Sequence, residues 1–389
     1  MQCINPQGLR AAFRAVPDPR RPQGRRYSLA AILTVAVAAM LAKQTSVLAI
    51  AEWAADQPPE MCARLGFPDG TTPHQSTFQR LLGRLDPYRL AAALSQALTV
   101  TSPTVPRIRG TQGVAIDGKA QRGRLAFTTG PQACVHALSA VCHIQGVVLA
   151  QTPITSTAEK TEAELTVAPA LIAQLDWHGR VLTGDALFCQ RHLCTQVLAA
   201  GGDYLFLAKG NQPELCDDVR LLFDPPMVTL PLMDRREAQT VDQGHGRSDD
   251  TRHLIASTDL TDYLDWPGLA QVFRLERTWR DKVGPHRTIR YGITSLPPEG
   301  ASADHLLALR RGHWTIENRV HYVKDVSLGE DQSSVHRDAG PMILAILRDT
   351  TLNLLRGTGV STIAAQLRSI SRHPERVLSL LGFVEPENA

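Results

Sequence analysis

A chain of 389 residues is too long for one ordinary hydrophobic core and predicts two or three domains. With 20% charged and 43% hydrophobic residues it reads as soluble and globular, and a net charge of +3 is too small to name a partner. Seven cysteines, an odd number with no CxxC, argue against a disulfide framework or a zinc site and for a reducing, cytoplasmic setting.

The distribution of charge says more than its sum. Met1 to Arg26 holds Arg10, Arg14, Arg20, Arg21, Arg25 and Arg26 against Asp18 alone, and Arg107 to Arg124 holds five basic residues against Asp117 alone. Two such segments hint at a polyanionic partner. The apolar run Tyr27 to Ala42 follows a basic region too long for a signal peptide. It also falls short of the roughly 20 residues that span a bilayer, so a buried helix is expected and no membrane. After VLAIAEWAADQ and the Gly/Pro-rich LGFPDGTTP, Thr72 can cap a helix with Pro73 as its first residue and Gln75 closing a capping box. Phe78, Leu81, Leu82 and Leu85 then recur at helical spacing. These helices could form a helix-turn-helix or simply pack. Pro103 and Pro106 mark a linker, which bounds a helical domain at 1–105 with a possible role in DNA binding.

From Gln112 short β-runs take over: 112–117, 134–143 and 146–152, a helix at 161–175, a strand at 180–185, a helix at 190–200 and a strand at 203–208. The order β-β-β-α-β-α-β predicts a mixed five-stranded sheet with helices on its faces, in a unit covering 106–210. Asp117 ends the first strand and Asp185 the fourth. If those strands pair in parallel, as in a ribonuclease H-like sheet, both carboxylates emerge at the carboxyl edge, where open α/β sheets place ligands. Residues 211–300 change texture: 252–258, 271–280 and 287–296 alternate in polarity and predict a β-rich insertion. His245 sits in a turn-like stretch and is given no chemistry beyond DNA contact.

A helix from Ser302 leads into 313–331, the first part of a unit covering 301–389. At about 100° per residue one helix over this stretch carries Ile316, Val320 and Val323 on one line and Glu317, His321 and Lys324 on another. Glu317 can thus meet Asp117 and Asp185. Three converging acids repel one another and lose solvation, so a pair of divalent cations is the natural compensation. Residues 343–356 predict an amphipathic closing helix.

Eight short motifs in this order resemble the DDE insertion-sequence transposases, specifically the ISAs-type group that includes the H-repeat-associated proteins. They are IDGK (116–119), AEKT (158–161), GDALFCQ (184–190), GDYLFLAKGNQ (202–212), HGR (245–247), HWTIEN (313–318), ED (330–331) and LNLLR (352–356). The resemblance implies a ribonuclease H-like fold with a β-insertion and a catalytic, metal-binding triad at Asp117, Asp185 and Glu317. Two departures stand out. The superfamily's Tyr-x2-Arg-x3-Glu-x6-Lys pattern keeps Lys324 but has Arg310 and His313 at its first two places, and the group's Lys-Thr-Asn-Glu run becomes Lys160-Thr161-Glu162-Ala163-Glu164.

The expected chemistry is phosphoryl transfer on DNA with two Mg²⁺ ions, Mn²⁺ being an alternative, roughly 3.5–4 Å apart. Lys119, Arg122, Arg124, Lys209, Asn211, His321 and Lys324 are the expected DNA contacts. Double-stranded DNA with terminal inverted repeats, bound by a homodimer, is the expected partner. A domesticated nuclease with the same triad and a transposase-derived DNA-binding regulator are the alternatives. A two-carboxylate glycosidase is a remote third, weakened by an aromatic content of 5%.

Overall fold

Ser28 begins the first long helix: its hydroxyl accepts a hydrogen bond from the Ala31 amide, and α2 (Leu29–Leu41) follows. In the computed structural model, which describes residues 6–100, 112–121, 136–154, 160–224, 232–244, 247–360 and 362–383, every residue of α2 from Ala31 to Leu41 is buried. The apolar run is thus the centre of a helical layer, surrounded by α1 (Pro6–Ala15), α3 (Val47–Ala55), α4 (Pro59–Arg64), α5 (Gln75–Leu82) and α6 (Pro87–Val100). α5 starts later than the sequence suggests. His74, not Thr72, is its N-cap, with extended backbone after Pro73 and Nδ1 accepting from the Ser76 amide. Residues 65–74 between α4 and α5 are longer than the three or four or so of a helix-turn-helix, and α5 turns Phe78, Leu81 and Leu82 inward.

These helices share one core with the sheet and the C-terminal helices. Leu9, Phe13, Ile32 and Leu90 join Ala115, Val141, Val148, Ile316, Val320 and Leu347 in a single cluster. The sheet itself has nine strands in the order β3-β2-β1-β4-β5-β9-β8-β7-β6. β1 (Gln112–Ala120), β2 (His136–Cys142) and β3 (Val148–Ile154) pair antiparallel. After α7 (Lys160–Ile172), β4 (Arg180–Gly184) lies parallel to β1; after α8 (Arg191–Ala199), β5 (Asp203–Ala208) lies parallel to β4. This is the mixed five-stranded arrangement expected from the element order. α9 (Pro213–Phe223), not anticipated, precedes the insertion.

The insertion is not a separate layer. β6 (Arg236–Gly244), β7 (Arg247–Ser257), β8 (Gln271–Arg280) and β9 (Pro285–Thr294) form an antiparallel meander whose last strand pairs with β5, from Leu205↔Thr294 to Ala208↔Tyr291. Alternation along the strands divides the sheet into two faces. Val114, Ile116 and Leu182 pack on α7 and α8; Val181, Leu205 and Leu207 pack on α10 (Ala303–Gly312), which Ser302 caps.

The stretch read as one helix over 313–331 is broken. A π-helical segment, Ile316–His321, runs into α11 (Tyr322–Val326), and Gly329 at φ 60° turns the chain into a short 3-10 segment at Glu330–Gln332. The closing helix α12 (Gly340–Gly357) is buried on all sides from Gly340 to Leu355 rather than amphipathic, because its polar residues meet protein partners. α13 (Ile363–Arg372) and α14 (Arg376–Leu380) complete the chain. Asn353 shows how α12 is pinned. Its Oδ1 accepts from the Val148 amide and its Nδ2 donates to the Val148 carbonyl, both at 2.8 Å, on the edge strand β3. Asn353→Leu leaves both backbone groups buried and unmatched, so unfolding in urea should show a loss of about 1–3 kcal/mol. An unchanged midpoint would mean that water replaces the amide.

Candidate active site at the carboxyl edge of the sheet

Asp117 and Asp185 stand side by side. β1 and β4 keep register through Ala115↔Thr183, and two further residues on each chain bring Asp117 level with Asp185, just past the end of β4. Neighbouring strands lie about 4.8 Å apart, so their carboxylates reach the same small volume. Both belong to the odd-numbered face, the one crossed by α10 and the π segment.

Two histidines show how that helix crosses. His313 Nε2 lies 3.8 Å from Asp185 Oδ1, and His321 Nδ1 lies 3.5 Å from Asp117 Oδ2. Glu317, exposed, is four residues from each. The stretch 313–321, a turn followed by the π segment, therefore runs from one aspartate to the other, with Glu317 midway along it in sequence. His321, expected to touch DNA, is placed against the first aspartate with 12% of its side chain exposed.

Behind Asp185 runs a buried polar line absent from the sequence reading. His143 Nε2 and Thr183 Oγ1 are 2.9 Å apart, Thr183 Oγ1 and His313 Nδ1 3.3 Å apart, and the Thr183 hydroxyl also lies 3.4 Å from the Val114 carbonyl. Burial pushes His313 down to about 3, helped by the Arg310 charge, and burial with His313 and Arg310 does the same to His143. Both imidazoles are therefore neutral near pH 7, and His313 meets Asp185 as a dipole rather than a cation. Gly113 and Gly312 make the space: a Cβ on either would fall within 2.1 and 2.4 Å of His143 Nδ1. Those glycines were the available signal, since a small residue on each of two facing elements marks a close approach.

On the opposite face Glu164 of α7 is buried, and its Oε1 would lie 2.1 Å from any Cβ added to Gly118. The glycine of IDGK is thus required by the acid whose role the altered motif left open.

The expected DNA contacts divide. Lys209 is exposed directly beyond β5. Lys119 donates to Asp325 Oδ2 at 2.7 Å and is largely covered, so part of its charge is already matched. Asn211, though exposed, donates its Nδ2 to the Ala186 carbonyl at 2.6 Å and braces the loop after Asp185. Lys324 is the clear correction. It is 2% exposed, with Nζ 3.0 Å from Asp349 Oδ1 and 3.3 Å from Glu330 Oε2, and in this fold it offers no surface to a phosphate. The π segment is the reason. One extra residue in a turn sets everything beyond it back by about 100°, which takes Lys324 off the Glu317 line and into the protein. Arg122, Arg124 and His245 lie outside the described residues.

As a donor set, three carboxylates suit Mg²⁺ or Mn²⁺ in kind. Among the described residues no three His, Cys, Asp or Glu side chains are gathered closely enough to hold an ion. Asp185, with 64% of its side chain exposed, and Glu317 both face solvent at this edge.

Comparison with known proteins gives this arrangement a family. A model described as a transposase DDE domain matches residues 108–354, and one described as DDE_Tnp_1-associated matches residues 10–97. The putative transposase YncI of Escherichia coli O157:H7 is 28% identical over 362 residues, covering 90% of this chain and 87% of that one. An uncharacterized protein in the dhlA 3′ region of Xanthobacter autotrophicus is 30% identical over 270 residues, 68% of this chain and 86% of that one. The H repeat-associated putative transposase YhhI of Escherichia coli strain K12 is 29% identical over 250 residues, 62% of this chain and 63% of that one. With the DDE domain matched over more than half its length, this chain belongs to the DDE transposases, alongside the H-repeat-associated proteins.

Proposed function

We propose that the protein is the transposase of a bacterial insertion sequence, cutting and joining double-stranded DNA at the inverted repeats that end its element, as a homodimer. The observation that carries this reading is the placement of Asp117 and Asp185 level on adjacent parallel strands, with the helix bearing Glu317 crossing above both. The strand order of the first five strands supports a ribonuclease H-like core, and the helical block at 1–105 is proposed as a second DNA-contacting region.

In this reading Asp117, Asp185 and Glu317 are the catalytic carboxylates and would hold two divalent ions. When bound, such ions activate the attacking water or 3′ hydroxyl and stabilise the leaving oxygen. His321 lies against Asp117, the neutral His313 faces Asp185 without bonding to it, and the Thr183 and His143 line holds the His313 ring in place. Lys209 contacts the DNA backbone as a point charge, with Arg122 and Arg124 proposed for the same role. No side chain forms a covalent bond to DNA.

Nicking of a plasmid carrying the sequences that flank the gene is expected in Mg²⁺ or Mn²⁺, with none in EDTA, while Ca²⁺ supports binding without turnover. Nicking undiminished by EDTA would sink the metal-dependent reading.

A further inference from the structure

Arg310, near the end of α10, is 4% exposed, yet its nitrogens are not among the fully buried unpaired polar atoms, as two of Arg348 are. The little exposure it keeps therefore lies at the guanidinium, whereas the Lys324 ammonium is enclosed by its acids. Among the described residues its guanidinium has no hydrogen bond and no ion pair, whereas the next residue, Arg311, is paired with Asp242. A largely desolvated guanidinium with no hydrogen-bonded counter-ion is costly, and folds ordinarily pair it or discard it. Two charges act on it: Asp185 favours its charged form and Arg290 opposes it. Burial and the Arg290 charge, opposed by Asp185, lower Arg310 to about 10, so it stays charged at neutral pH.

Arg290 is held there by the sheet. It pairs with Leu275 on β8, two residues before the Gly292↔Phe273 pair, so it shares the face on which Phe273 and Leu275 pack against Leu306, Leu307 and Leu309 of α10. Because Ala208 pairs with Tyr291, the next residue on β5's side is Lys209, opposite Arg290. Neither has an ion pair among the described residues. The carboxyl edge thus passes, across the four adjacent strands β1, β4, β5 and β9, from Asp117 and Asp185 to Lys209 and Arg290, with Arg310 on α10 packed against the same face.

We propose that Arg310 and Arg290, with Lys209, form a clamp for one backbone phosphate of the DNA strand being cut, beside Asp185. The proposal rests on the transposase reading and adds to it the residues that fix the strand against the acids. A guanidinium suits the task because its planar fork binds two non-bridging oxygens at once. The clamp also accounts for the cost of Arg310: Asp185 offsets its charge from a distance, and the hydrogen-bonded counter-ion arrives with the substrate.

The test uses full-length protein and a duplex carrying the sequence that flanks the gene, in Ca²⁺ so that binding is read without cleavage. Arg310→Met should melt at the same temperature as wild type or higher, since a buried unpaired charge is replaced by a methionine of similar length. Its affinity for the duplex should fall about tenfold, as expected for losing one or two charge-assisted contacts. Replacing phosphates one at a time by methylphosphonates should weaken wild-type binding at one position near the cut, and at that position Arg310→Met should lose nothing further. Arg290→Gln, at a half-buried site that folding depends on less, should show the same missing position. A lower melting temperature for Arg310→Met together with an unchanged methylphosphonate pattern in both variants overturns the clamp. Wild type that cuts its ends while both variants keep its pattern removes the clamp and leaves the transposase reading intact. Wild type that neither binds nor cuts the duplex removes both.

Discussion

Asp185→Asn is expected to leave the protein folded and able to bind DNA while strand cleavage falls at least about a hundredfold. The argument has two halves. First, Asp185 does little for the fold. Its side chain is 64% exposed and provides no cap for the turn it begins, and its backbone, at φ −66° and ψ 167°, is extended and open to Asn. The nearest imidazole, that of the neutral His313, lies at 3.8 Å, beyond hydrogen-bond range, so no hydrogen bond to it is lost, and what the fold loses is the partial offset that the carboxylate gives the buried Arg310 charge. Second, the charge matters to the chemistry. Loss of a metal contact in the transition state is worth several kcal/mol, and each 1.4 kcal/mol or so is tenfold in rate. Plasmid nicking alongside thermal melting separates the two halves. Near-wild-type nicking, or a loss explained by a lower melting temperature, would remove Asp185 from the active site.

The elements legible in the sequence are those whose local pattern and tertiary role agree. Asp185 could be placed because it closes a run short enough to be a buried strand. Asp117 follows such a run but does not end its strand, since β1 continues to Ala120 by pairing with β2, and the parallel pairing of β1 and β4, a condition in the sequence reading, is met. α2 was legible for the same reason: an apolar run of helix length has only the interior to go to. The failures are equally physical. The line of Glu317, His321 and Lys324 assumed a constant 3.6-residue turn, and the π segment ends that assumption in the middle of the line. α12 looked amphipathic because Arg348, Asp349, Asn353 and their neighbours are polar, and only the fold reveals that buried partners await them. β6, REAQTVDQG, is too polar to announce itself as a strand and is recruited by pairing with β7. His143 and Thr183 sit in strand-like sequence whose own pattern does not separate a buried polar line from a solvated face, so the facing glycines Gly113 and Gly312 were the one signal. Arg310 needed both its burial and its lack of a partner to be noticed, and neither is a property of sequence.

Lys324→Met is expected to destabilise the protein by about 3–5 kcal/mol while leaving the salt dependence of DNA binding unchanged. Lys324 belongs to a buried network of three cations and three acids: Lys119 with Asp325, Lys324 with Asp349, and Arg348 with Glu330. Removing one ammonium leaves an uncompensated carboxylate where water cannot reach, and that is the costly case; removing a whole pair is not. Lys324→Met combined with Asp349→Leu should therefore recover much of the loss, giving a double-mutant cycle with large coupling. The pH dependence has a definite sign. Burial raises Asp349 to about 6, against 3.8 as its ordinary value, even with Lys324 drawing it down. A carboxyl raised in the fold contributes stability that is fully present below its unfolded pKa and lost as pH rises through its folded one. Without Lys324 the folded pKa moves higher still, so the single variant should be furthest from wild type near pH 8 and approach it toward pH 5, whereas the double variant should lack this trend. Thermal melting across that range, beside end-binding titrations in increasing salt, checks every part. A variant that melts like wild type but binds DNA with a flatter salt slope would mean that the ammonium leaves its acids for the DNA backbone, and that the network opens when substrate binds.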